Sequence, residues 1–146
     1  MKKFLMSVCA GVLMTASSFA GGGEGWLTNF EEAKKISAET GKPILADFSG
    51  SDWCGWCIKL DNEVFKKEAF KKYAKDNLVL LMVDYPRSTP QSAEIKKQNE
   101  GLATQYRIQG FPTVLILDKD GKVIKKTGYE AGGPTNYVKM IKKSIK

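Results

Sequence analysis

Two apolar runs, a nearly continuous one at residues 43–49 and a continuous one at 78–83, are the most regular feature of the hydrophobic pattern along this chain. Runs of this length are typical of strands that are covered on both faces of a sheet, and we expect the first run to lie at the centre of its sheet. Two further stretches, 113–117 and 122–127, flank an Asp-Gly turn within 118–121. This arrangement predicts an antiparallel hairpin.

Apolar side chains that recur every three or four residues predict the helices between these strands. Thr28 and Glu31 have the spacing of a capping box, which predicts a first helix that ends near Gly41. A second helix is predicted to begin around Cys54 and to bend before the segment 70–77.

Two more helices complete the pattern. Thr89 and Pro90 are a suitable N-cap and first residue for the third helix, and Pro134 is a suitable start for the last. The predicted order is helix, strand, helix, strand, helix, strand, hairpin strand, helix. A right-handed crossover makes the first two strands parallel, and the hairpin adds an antiparallel edge. The prediction is an α/β fold with a mixed central β-sheet flanked by helices on both faces.

The first 20 residues differ from the rest of the chain. Two lysines precede a mostly apolar stretch, and small residues occupy the two positions that a signal peptidase reads. We therefore predict a signal peptide at 1–20 that is cleaved after Ala20, with an uncleaved anchor as the alternative. The glycine-rich segment 21–25 indicates a flexible linker, and 26–146 is predicted to be one domain. The protein is expected in the periplasm or otherwise exported.

Composition and charge limit the kinds of site that this domain can hold. Without the two lysines of the signal peptide, the formal net charge falls from +7 to +5, and the remaining lysines are spread along helical segments. Such spreading is typical of solvated faces and does not favour nucleic-acid binding. The absence of histidine excludes histidine-ligated metal sites and catalysis by Ser/His or Cys/His pairs.

Cys54 and Cys57 form a Cys-x-x-Cys pair, a spacing found in redox sites, zinc half-sites and simple buried thiols. Zinc would need two further ligands, which the mature chain cannot supply from cysteine or histidine. A purely structural disulfide over so short a loop would remove little entropy from the unfolded chain. Redox chemistry explains why Cys54 lies at a helix start, where free amides and the helix dipole stabilise a thiolate. Metal handling and an inert pair stay open as alternatives.

Three motifs together resemble the thioredoxin superfamily: Ala46-Asp47-Phe48, Trp53-Cys54-Gly55-Trp56-Cys57 and Gly110-Phe111-Pro112-Thr113. Two further segments resemble exported thioredoxin-like disulfide reductases of the DsbH type. They are 49–54, which ends at the first cysteine, and 128–133, which follows the hairpin. The resemblance implies a thioredoxin fold, with Cys54 as the nucleophile and Cys57 as the resolving thiol. It also implies a cis peptide bond between Phe111 and Pro112.

Asp47 is the third predicted catalytic residue. An acid inside an apolar strand is costly unless it is hydrated or functional, and the resemblance implies a buried carboxylate with a raised pKa that exchanges a proton with Cys57. A strand-end residue in contact with water is the alternative interpretation. Asp52 is interpreted as an N-cap rather than a catalyst. The predicted substrate-binding residues surround the cysteines and the proline: Trp53, Gly55, Trp56, Gly110, Phe111 and Pro112.

These features predict a thiol:disulfide oxidoreductase that acts on protein disulfides in the bacterial cell envelope, with reduction as the favoured direction. Its redox group would be the Cys54–Cys57 disulfide, with no bound cofactor or metal. The expected partners are disulfide-containing envelope proteins and a membrane protein that supplies electrons, and the chain is expected to be a monomer. The alternative functions are a disulfide isomerase or oxidase of the same fold, and a non-catalytic copper chaperone that uses the two thiolates.

Overall fold

A five-stranded mixed sheet forms the centre of the protein in the computed structural model, which describes residues 23–146. The order across the sheet is β1-β3-β2-β4-β5. The central strand β2 is parallel to β3 and antiparallel to β4, which pairs antiparallel with β5. The predicted central strand and the predicted hairpin are therefore confirmed. The strands are β1 (Trp26–Leu27), β2 (Ile44–Ser49), β3 (Val79–Asp84), β4 (Thr113–Leu117) and β5 (Val123–Thr127).

Helices cover both faces of this sheet, which confirms the predicted fold class. A single π-helical turn at Asp61–Phe65 continues the second helix directly. Within the described residues, every helix is too short or too polar to span a membrane. The predicted signal peptide and the first two residues of the predicted linker lie outside the described residues. The helices are α1 (Phe30–Thr40), α2 (Gly55–Leu60), α3 (Glu68–Asn77), α4 (Ala93–Gln105) and α5 (Gly133–Ser144).

Two helix starts differ from the prediction because another side chain reaches the first free amides. The N-cap of α1 is Asn29 rather than Thr28, and its side chain accepts a hydrogen bond at 2.9 Å from the amide three residues on. The N-cap of α4 is Ser92, which makes the equivalent bond at 3.2 Å. The predicted start at Thr89 and Pro90 is wrong, because both residues lie in the loop before the helix.

The two edges of the sheet are unlike each other. β1 pairs in parallel with β3 through only two residues, and two residues are too few to show a hydrophobic period, so the sequence did not predict this strand. β5 forms the other edge. It exposes Val123 and Ile124 and continues through Lys125 and Lys126.

Side chains of the central strand alternate between two hydrophobic cores. Ile44, Ala46 and Phe48 pack on the side of α1 and α4, whereas Leu45 packs with residues of α2, the π turn, α3 and α5. Successive side chains of a strand point to opposite faces, so Asp47 faces the same core as Leu45. The fold thus places a carboxyl group beneath the helix that follows the first cysteine.

Candidate active site

Cys54 and Cys57 are joined by a disulfide at the start of α2, with their Cα atoms 5.2 Å apart. The turn after β2 is closed by the Cys54 N–H, which donates to the Gly50 carbonyl at 2.8 Å. Cys54 is the N-cap of α2, since its Sγ accepts a hydrogen bond from the Cys57 N–H at 3.3 Å. The Cys57 Sγ accepts from the Gly50 N–H at 3.5 Å. The sulfur of Cys54 therefore lies where the first free amides of a helix point.

Asp47 is 3% exposed and lies inside β2 rather than at its end. Its Oδ1 has no hydrogen-bond partner among residues 23–146. A cavity of about 510 Å³ is lined by Asp47 and Cys57 together, and its wall includes the ion pair of Asp61 and Lys66, 3.0 Å apart. Loss of hydration, with the nearby charges of Asp61 and Asp84, raises the pKa of the Asp47 carboxyl to about 8. The carboxyl is therefore mostly protonated at neutral pH, with a minority in the ionised form.

One aromatic surface beside the cysteines, the Trp53 wall, consists of Trp53, Tyr85, Arg87 and Phe111. The indole N–H of Trp53 donates to the Tyr85 carbonyl at 2.8 Å. The Phe111 ring meets Trp53 edge to face at 5.9 Å between centroids and Tyr85 at 5.0 Å. The guanidinium carbon of Arg87 lies 3.9 Å from the centre of the Trp53 ring, within the range of a cation–π contact. Gly50 lies against the indole, where a Cβ would collide with the ring.

Asp52 fixes the loop that carries Arg87. Its carboxylate accepts hydrogen bonds from the N–H groups of Arg87, Ser88 and Thr89 at 2.8 to 2.9 Å. These bonds, with that from Arg87 the strongest, lower the pKa of Asp52 to about 2. The prediction of Asp52 as an N-cap is wrong, because its side chain turns to three free amides of a distant loop instead of to α2. The active-site turn and the loop after β3 are thereby held together.

A second surface, the Trp56 wall, consists of Trp56, Lys59, Glu63 and Tyr129. Trp56 is 58% exposed, and its ring lies 5.0 Å from that of Tyr129. The Lys59 ammonium lies over both rings, at 5.2 and 5.5 Å, and 3.7 Å from the Glu63 carboxylate. The Tyr129 hydroxyl also donates to Glu63, which raises the pKa of Tyr129. The cation of this wall therefore has a carboxylate partner.

The proline loop leads into β4, and its Phe111–Pro112 peptide bond is cis, as the resemblance implied. The Thr113 hydroxyl donates to the Gly110 carbonyl at 2.7 Å and closes the loop. Gly128 lies directly against this loop, because a Cβ at that position would come within 2.9 Å of the Pro112 carbonyl oxygen. Since Phe111 also belongs to the Trp53 wall, the proline loop and the active-site turn form one surface.

Gly128→Ala is expected to lower the free energy of unfolding by about 1 to 3 kcal/mol, the usual cost of an added methyl in a packed site. The atom that it would meet belongs to the backbone, so the proline loop must move. Gly101→Ala in α4 is the matched control, because its Cβ would meet nothing within 4 Å, and it should raise stability by up to about 1 kcal/mol. Urea unfolding followed by tryptophan fluorescence measures both, and wild-type stability of the Gly128 variant would contradict the contact.

The structure brings the predicted site residues to one end of the sheet. Gly55, the first residue of α2, is exposed beside Cys54. In the part of the chain that the structure describes, no three side chains of His, Cys, Asp or Glu group closely enough to hold a metal ion. Sequence reasoning assigned no role to Tyr85, Arg87 or Tyr129, which complete the two walls. Their only signal was an aromatic or basic residue soon after a strand end.

Comparison with known proteins shows what the chain is similar to. The family model described as a thioredoxin-like domain matches residues 30–144. The chain is 36% identical over 118 residues to the disulfide bond reductase DsbH of Chlamydia pneumoniae, which covers 81% of this chain and 71% of that protein. It is 33% identical over 103 residues to the thioredoxin-related protein DsbJ of the same organism, but spans only 30% of that protein's length.

Solved structures also support a thioredoxin fold for this chain. A DsbH oxidoreductase structure superposes with a TM-score of 0.80 at 33% identity, over 94% of each chain. A thioredoxin from Thermus thermophilus superposes with a TM-score of 0.60 at 17% identity, over 81% of this chain and 84% of that one, and supports the fold alone.

Proposed function

This chain belongs to the thioredoxin-like family and is a thiol:disulfide oxidoreductase, and from that premise we propose that it works as a reductase of protein disulfides in the bacterial cell envelope. The observation that carries the proposal is the Cys54–Cys57 disulfide at a helix start, above the buried carboxyl group of Asp47. The disulfide bond reductase DsbH, with 36% identity, supports the reducing direction. The predicted signal peptide supports the location.

Cys54 is the proposed nucleophile. In the reduced protein its thiolate, stabilised by the helix amides, attacks one sulfur of a substrate disulfide and expels the other as a thiolate. The new Cys54–substrate disulfide is then attacked by Cys57, which releases the second substrate sulfur. Two electrons pass to the substrate, and the chain is left with the disulfide seen in the structure. No other cofactor is needed for this exchange.

Asp47 is the proposed proton acceptor for Cys57, and it acts in its ionised form, which is the minority form at neutral pH. A thiol must lose its proton before it attacks, and an ordinary thiol has a pKa of about 8.5. The raised pKa of the Asp47 carboxyl, about 8, makes transfer between the two groups close to balanced in free energy. The cavity that both residues line gives water a route to the carboxyl.

The proposed substrate-binding surface consists of residues that surround the two cysteines. Gly55 leaves the approach to Cys54 open, while Trp53 and Trp56 supply flat apolar area on the two walls. The proline loop, formed by Gly110, Phe111 and Pro112, lies outside any strand and can bind an extended substrate segment. After each cycle a membrane protein that carries electrons outward would reduce the pair again, and the chain would act as a monomer.

The direction of exchange is tested by the reduction potential, measured by equilibration with glutathione buffers. We expect a value near −270 mV, typical of the reducing thioredoxins, and a value near −120 mV, that of the strongly oxidising DsbA, would contradict the proposal. In parallel, the catalysed reduction of insulin by dithiothreitol measures the disulfide reductase activity. A Cys57→Ser variant, which cannot form the internal disulfide, is the control for both.

A further inference from the structure

Arg87, the cation of the Trp53 wall, differs in its partners from Lys59, the cation of the Trp56 wall. Among residues 23–146, no carboxylate lies within 4.0 Å of its guanidinium in an ion pair, whereas Lys59 on the Trp56 wall has Glu63. We propose that Arg87 binds a carboxylate of the substrate, so that the protein prefers disulfides with an aspartate or glutamate beside the reacting cysteine. This inference rests on the proposed function and names its class of substrate.

The position of Arg87 is set before any substrate binds. Asp52 holds its backbone and the next two residues through three N–H groups, and the guanidinium lies over the Trp53 ring. A guanidinium stacked on an aromatic face keeps the N–H groups of its edge available for a carboxylate, often two at once. Because Arg87 is exposed and its backbone is already ordered, binding costs little additional conformational entropy.

Asp52 is not an ion-pair partner of the Arg87 guanidinium. Its two oxygens accept hydrogen bonds from three backbone N–H groups and from the Thr89 hydroxyl, so it is bound to the main chain of the loop rather than to the guanidinium. Its charge weakens the local positive potential without occupying the donors of Arg87. An incoming carboxylate therefore meets an unpaired guanidinium.

The Trp53 wall also lies on the path of an extended substrate. Phe111 joins the proline loop to Trp53, and Trp53 directly precedes Cys54. A segment that lies along the proline loop with its sulfur at Cys54 passes the Trp53 ring, on which Arg87 sits. The Trp56 wall offers no equivalent, because Lys59 already contacts Glu63. The preference should therefore depend on Arg87 and not on Lys59.

The test uses the full-length reduced protein and three disulfide peptides that differ only in the residue beside cysteine, which is Glu, Gln or Lys. Stopped-flow tryptophan fluorescence gives the rate constant for each, at low ionic strength. We expect the wild type to react about fivefold faster with the Glu peptide than with the Gln peptide, the scale of an exposed ion pair. This ratio should fall to about one in Arg87→Gln and in high salt.

Lys143→Gln on α5 is the matched control, since it removes one positive charge at an exposed position away from both walls, and it should keep the wild-type ratio. Lys59→Gln tests the other wall: its absolute rate constants are free to change, but the ratio should stay at the wild-type value. A wild-type ratio of one, or a ratio that survives Arg87→Gln, would overturn the role of Arg87. Loss of the ratio in Lys143→Gln would do so too, because it would indicate an effect of net charge. Rapid exchange with the Gln peptide tests the proposed function separately.

Discussion

Cys54→Ser is expected to abolish catalysed disulfide reduction, with a loss of at least about 1000-fold, because a serine hydroxyl is neither ionised at neutral pH nor able to form the mixed disulfide. The remaining Cys57 is 4% exposed and its sulfur is held by the Gly50 N–H, so it cannot replace the missing nucleophile. Reduction of insulin by dithiothreitol, with each protein at catalytic concentration, measures the loss.

Cys57→Ala is the companion variant. It keeps Cys54 but lacks the thiol that resolves the mixed disulfide, so it should accumulate covalent adducts with substrates that mass spectrometry detects. The double variant Cys54→Ser/Cys57→Ala should form none. Activity of Cys54→Ser close to that of the wild type, or adducts at Cys57 instead of Cys54, would contradict the assignment of the nucleophile.

Asp47→Asn is expected to stabilise the oxidised protein at pH 7 by on the order of 3 kcal/mol, and to leave its stability nearly unchanged at pH 4. The native carboxyl has a pKa of about 8, while in the unfolded chain it ionises near 3.9. Between these values only the unfolded state loses the proton, so the stability of the wild type falls as the pH rises from about 4 to about 8. Asparagine has no ionisable carboxyl group, so the variant does not lose stability through this ionisation.

Urea unfolding at a series of pH values measures the difference. Asp76→Asn on α3, at an exposed position, is the control and should give no comparable gain. A gain of the same size at pH 4 and pH 8 would show that the effect is not one of ionisation. In the same variant we expect slower release of mixed disulfides at neutral pH, because the proton acceptor of Cys57 is gone.

The parts of the site that could be predicted are those whose signal lies within a short stretch of sequence. The cysteine pair was identified by its spacing together with its place at a predicted helix start, the acid by its place inside an apolar run, and the cis proline by its resemblance to a family motif. Strand cores were predicted well for the same reason, since a short apolar run such as 43–49, followed by turn residues, is typical of a buried strand.

The parts that were missed depend on contacts between distant segments. Asp52 is a good N-cap by sequence, yet 35 to 37 residues further on it finds three free amides in one loop, and those bonds outweigh one local cap. Tyr129 becomes part of the site only because Trp56 and Glu63 lie beside it in the fold. Neither pairing leaves a trace in local propensity or hydrophobic period.

The two edges of the sheet have a consequence for how copies of the protein behave at high concentration. An unpaired strand edge is a template for strands of other chains, above all when it is long, flat and apolar. Here one edge, β1, is two residues long, and the other, β5, exposes Val123 and Ile124 but then continues into Lys125 and Lys126. Two adjacent lysines resist the approach of a second copy, so this edge is a poor template for strand pairing between copies of the protein.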